Sequence, residues 1–108
     1  PRPLTQEQQY VVGSMKGLEA TVGGAMPAKM KEDVSKRLQG LQAKFESAQV
    51  SQEVSQQLVA WCQAMERGDT ATATSIQTAL TSSVWDEHGQ WLQATKRLID
   101  QKKKMMGQ

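Results

Sequence analysis

His88, Cys62 and the adjacent acids Asp86 and Glu87 are the residues whose types could make or break bonds in this chain. A histidine works as a general base or metal ligand only beside a partner cysteine, histidine or carboxylate. His88 is the single histidine, and its three-residue spacing from Trp91 places it on or beside the inner face of a helix. That position reads as a hydrogen-bonded core histidine. Cys62 follows Trp61 with no basic neighbour in sequence to lower its thiol pKa, so it reads as a packing residue. Asp86 and Glu87 are consecutive, and consecutive helical residues project about 100° apart, too far to form one carboxylate dyad. They suit the electropositive start of a helix instead. Gly23-Gly24 lacks the following Lys-Ser or Lys-Thr of a phosphate loop. No catalytic, cofactor-binding or metal-ligating residue is predicted, and no enzyme.

Two features point outward. Trp85 precedes Trp91 by six residues, which turns it about 120° away around a shared helix. With Trp91 facing the core, Trp85 either packs at the end of the bundle or anchors a partner. The second feature is the basic end, where Lys96, Arg97, Lys102, Lys103 and Lys104 face only Asp100. Lys102, Lys103 and Lys104 are candidates for contact with an acidic partner or lipid surface, against the plainer reading of a solvated helix end. Single-stranded nucleic acid usually needs stacking aromatics beside its cations, and none lie near this run, so no nucleic-acid partner is expected.

The composition sets the frame for these residues. The 108 residues suffice for one domain with a core but not for two, with 38% hydrophobic and 5% aromatic residues. A net charge of +2 selects no class of partner. No apolar run approaches the roughly 18 residues needed to span a membrane. One cysteine excludes an internal disulfide and fits a reducing compartment.

Five helices are needed to position these side chains. Residues 1–4, with two prolines, read as the end of a proline-containing linker, and 5–106 as a helical domain. Thr5 and Gln8 have capping-box spacing. Val11, Met15, Leu18 and Val22 then form one apolar stripe, which Gly23-Gly24 should end through a left-handed conformation. Pro27 opens a second helix with Met30, Val34, Leu38, Leu41 and Phe45 on one face. Ser51 caps a third, with Val54, Leu58, Trp61 and Met65, closed by Gly68. Asp69 caps a fourth, with Ala73, Ile76 and Leu80; its four threonines make it a weak helix on its own, so packing must hold it. Ser82 or Ser83 should begin a fifth, with Val84, His88, Trp91, Thr95, Leu98 and Met105 inward. No segment alternates with period two. The expected fold is all-α, a single antiparallel five-helix bundle, with Leu18, Leu38, Leu41, Leu58, Trp61, Ile76, Trp91 and Leu98 in its core.

Between residues 57 and 99 the wording becomes distinctive. It runs Leu58-x-x-Trp61-Cys62-x-Ala64, then Thr81-Ser82-Ser83-x-Trp85-Asp86-Glu87, then Trp91-Leu92 and Lys96-Arg97-Leu98. This series resembles the C-terminal domain of the large outer-coat subunit of COPII vesicles, in its plant and algal form. The same domain is similar to the C-terminal half of the steroid receptor RNA activator protein. The resemblance spans roughly residues 29–103, with Ile76 and Leu80 among the matching positions. It implies a cytoplasmic protein, peripheral on endoplasmic reticulum exit sites and COPII vesicles, that supports cage assembly in transport to the Golgi. The implied partners are other coat subunits, with no small-molecule substrate and no cofactor. The activator-protein branch implies a transcriptional or RNA coregulator module instead.

Overall fold

The computed structural model describes residues 3–107; the predicted linker residues Pro1 and Arg2 lie outside that span. The chain enters helix α1 (Gln6–Val22) through the expected capping box. The Gln8 amide donates to Thr5 Oγ1 at 3.1 Å while the Thr5 amide donates to Gln8 Oε1 at 3.0 Å. Leu4, assigned to the linker by sequence, packs against the core.

Gly23 does not stop α1 by turning left-handed. Its φ is −64°, and the chain tightens into a 3-10 turn (Gly23–Ala25) before Met26 becomes extended. What this site requires is closeness: a Cβ on Gly23 would lie 3.2 Å from the Lys31 side chain.

Helix α2 (Ala28–Glu46) follows Pro27 and buries Val34, Leu38, Leu41 and Phe45; Met30 stays half-buried. It ends in a Schellman-type closure, with the Gln49 amide donating to Lys44 O at 2.8 Å. Ala48 supplies the left-handed residue there, at φ 59°. Helix α3 (Gln52–Glu66) starts where the Val54 amide donates to Ser51 Oγ at 3.1 Å. It ends before Gly68, at φ 74°.

Helix α4 (Thr70–Met105) spans the positions expected for the fourth and fifth helices as two helical arms joined without a loop at Val84, so the described residues hold four α-helices, the last of them interrupted, with no strand. It is not straight. Val84 leaves helical geometry at φ −131°, ψ 21°. Gln77 Nε2 donates to Leu92 O at 2.9 Å, although 15 residues of straight helix would separate the two by about 22 Å. The arms before and after Val84 are therefore folded toward each other. Thr95 Oγ1 donates to Gln77 Oε1 at 2.7 Å and completes the clasp.

This clasp also corrects the fourth stripe. Buried Gln77 takes the inward place between Ala73 and Leu80, and Ile76 moves to the half-buried border. Met105, expected inward, is 50% exposed. The other predicted core residues, Leu18, Leu38, Leu41, Leu58, Trp61, Trp91 and Leu98, are buried together in one cluster.

Helix α4 packs against all three other helices. Along α2 the register is explicit: Met30 meets Gln101, Asp33 meets Arg97, Arg37 meets Gln90 and Lys44 meets the Glu87 carbonyl. Numbers rise on one helix as they fall on the other, so α2 and the distal arm of α4 run in opposite directions.

Candidate interaction site

His88 sits one turn past the bend, 2% exposed. Its Nδ1 accepts a hydrogen bond from Trp91 Nε1 at 3.0 Å, which requires the neutral ring with its proton on Nε2. Burial lowers its pKa, the Lys44 charge lowers it further, and Glu87 opposes both. This is the hydrogen-bonded core histidine expected from the Trp91 spacing. Cys62 is fully buried, and burial pushes its thiol up to about 12, so it carries no nucleophilic thiolate. Among the described residues no group of three or more histidines, cysteines or acids could hold a metal ion.

Two polar clusters escaped the sequence reading. Glu66, near the end of α3, accepts from Tyr10 Oη with both oxygens at 2.8 Å and from Ser14 Oγ at 2.8 Å, pinning α1 to α3. Burial and this carboxylate raise the Tyr10 phenol to about 12. More than fifty positions separate the partners, and no local pattern joins them. The second cluster is Asp33, held by Arg37 Nε at 2.8 Å and by Arg97 Nη1 at 2.5 Å. The Arg37 hydrogen bond keeps the Asp33 carboxyl below the usual range, with Arg97 adding to it. The four-residue spacing of Asp33 and Arg37 was readable as a helix pair, but the partner on α4 was not.

This cluster changes the basic end. Arg97 belongs to the α2–α4 contact, and Lys96 lies 3.5 Å from Asp100. Lys102, Lys103 and Lys104 remain without an ion pair among the described residues, in the last turn of α4 where the helix dipole favours cations.

Trp85 is 44% exposed, which removes the core-packing alternative. Its ring is nevertheless seated. A Cβ built on Gly89 would lie 2.9 Å from Trp85 Cε2, so the indole lies flat over the one nearby position lacking a side chain. Gly89 was absent from the sequence reading, although its four-residue spacing from Trp85 put the two on one face. A groove of about 400 Å³ runs between the two arms of α4, lined by Trp85 together with Leu92, Ile99, Lys96 and Lys103. Of the sequence-predicted partner residues, the structure brings together Trp85 and Lys103. Lys102 and Lys104 flank Lys103 on the same last turn without lining the groove.

Polar clusters that join helices at the surface, and an exposed aromatic near cations, mark a small all-helical domain. The chain belongs to the steroid receptor RNA activator (SRA1) family, whose sequence profile matches residues 5–108. It is also similar to protein transport protein SEC31 homolog B of Arabidopsis thaliana, 40% identical over 68 residues. That similarity covers 63% of this chain and 6% of the relative, so the chain spans a small fraction of the relative's length.

Proposed function

We propose that this domain is a protein–protein contact module of the COPII outer coat, adding a coat–coat contact to cages that leave the endoplasmic reticulum for the Golgi. The observation that carries the proposal is the 40% identity with a protein transport protein, which falls on most of the chain. Seated, exposed Trp85 supports it, because aromatic anchors ringed by polar residues dominate many interfaces. The contact is weak by itself, and the lattice strengthens it through many copies. In this reading the protein works in the cytoplasm, peripheral on exit sites and coated vesicles. Contacts with coat subunits hold it there. It performs no catalytic step and takes no cofactor or small-molecule substrate.

The match to the steroid receptor RNA activator family over residues 5–108 favours a second reading, a transcriptional or RNA coregulator module. One experiment separates the two. A tagged domain should recover outer-coat subunits from cytosol, and Trp85→Ala should lose them while circular dichroism remains unchanged. Recovery of splicing or transcription factors with no coat subunits would replace the first reading with the second.

A further inference from the structure

The groove between the arms of α4 combines three properties. Its floor includes Leu92 and Ile99, both of which also belong to the core. One end carries Trp85, beside the bend at Val84. The distal arm lines it with Lys96 and Lys103 against a single carboxylate, Asp100. Lys96 and Asp100 are 68% and 50% exposed at 3.5 Å, a pair weak enough to exchange for another carboxylate. Asp86 and Glu87 do not line the groove, so its charged rim is net positive.

The pose of Trp85 matters as much as its exposure. A surface tryptophan normally loses rotamer freedom when a partner covers it. Here the ring already rests on Gly89, so less freedom remains to be lost. Thr74 adds an enclosed hydroxyl oxygen in the groove that has no hydrogen-bond partner among the described residues. A volume of about 400 Å³ lies within the range of ligand-holding clefts and accommodates a few side chains, not a whole domain face.

We propose that this groove docks a short acidic helix of a partner protein, with an apolar side chain against Trp85 and carboxylates against Lys96 and Lys103. Charge complementarity selects this occupant: a basic segment would meet the two lysines, and a neutral apolar one would leave them uncompensated. The proposal rests on the contact-module reading and assigns the partner's chemistry within it.

The test uses the 108-residue chain and a fluorescein-labelled synthetic peptide of about 14 residues, four helical turns, with leucines on one face and glutamates flanking them. A control peptide carries lysine in place of each glutamate. Fluorescence anisotropy should show micromolar binding of the acidic peptide, weakening as salt rises, and no binding of the control. Trp85→Ala should weaken binding at least about tenfold. Lys96→Glu with Lys103→Glu should do the same and flatten the salt dependence. Gly89→Ala keeps the helix and leaves Trp85 in place chemically but evicts its ring from the seat, so it should also weaken binding several-fold. Thermal unfolding confirms that each variant is folded.

Equal binding of both peptides, binding unaffected by Trp85→Ala, or binding only to phosphatidylserine vesicles would overturn the proposal. Peptide binding without recovery of coat subunits would sink the coat reading alone. Coat recovery without peptide binding would sink the groove alone.

Discussion

Replacing Trp91 with Ala removes a fully buried indole and takes away the donor that His88 Nδ1 accepts. The cavity and the orphaned acceptor together should cost about 3–5 kcal/mol. Urea unfolding that shifts by less than about 1 kcal/mol would contradict that burial. His88 itself makes stability depend on pH. Its folded pKa lies below the unfolded value near 6.5, so the unfolded chain binds more protons as the solution is acidified. Its contribution is therefore fully present above about pH 6.5 and is lost as pH falls through the folded value. Wild type should weaken between neutral pH and pH 5 more steeply than His88→Gln, measured by urea midpoints. Parallel slopes would show that His88 titrates freely. The spacing from Trp91 made the inward position of His88 legible. Its hydrogen-bond partner was legible only in retrospect, because many inward residues three apart do not bond.

At the scale of elements, the first three helices were readable because their starts are written in side chains: Thr5 with Gln8, Pro27, and Ser51. The break in α4 was readable to within two residues, at Ser82 or Ser83 against Val84, but its form was not. Ser83 resembles an N-cap, yet its hydroxyl donates back to Ala79 O at 2.8 Å and stays within the preceding helix. Such back-bonding bends helices rather than starting them. The chain turns at Val84 with no loop, and the clasp from Gln77 to Leu92 and Thr95 closes the angle. A polar residue on an apolar stripe was the available sign of that clasp, and Ile76 beside it drew the assignment away. The α2–α3 connection carries a different defect. Ala48 holds a left-handed φ of 59°, where a Cβ costs about 1–2 kcal/mol that glycine avoids. After subtracting the extra entropy that glycine loses on folding, Ala48→Gly should still stabilise by about 0.5–1 kcal/mol. The melting temperature should then rise by a few degrees. A lower melting temperature would mean that the turn relaxes in solution.

On the scale of the whole molecule, α4 is the element through which the others meet, since α1, α2 and α3 all pack against it. Its distal arm alone contributes Trp91, Leu92, Ala94, Leu98 and Ile99 to the core. It also contributes Arg97 to the Asp33 clamp and Gln101 to the Met30 contact. The stripes predicted such a shared core but could not show which helix was central, because each stripe names only its own inward residues. A molecule joined this way has no half that buries its own apolar face. Unfolding should therefore be a single transition, with far-ultraviolet circular dichroism and tryptophan fluorescence tracing coincident curves in urea. The sharper test is truncation after Ser83, at the bend. The remaining 83 residues keep α1, α2, α3 and the proximal arm of α4, with every N-terminal capping residue intact. Helix-forming signals alone would leave that fragment partly ordered. Because helices draw most of their stability from packing their apolar faces, the fragment should instead lose its cooperative transition and its near-ultraviolet signal. If it unfolds sharply in urea, the central place of α4 is wrong and the first three helices form a core of their own.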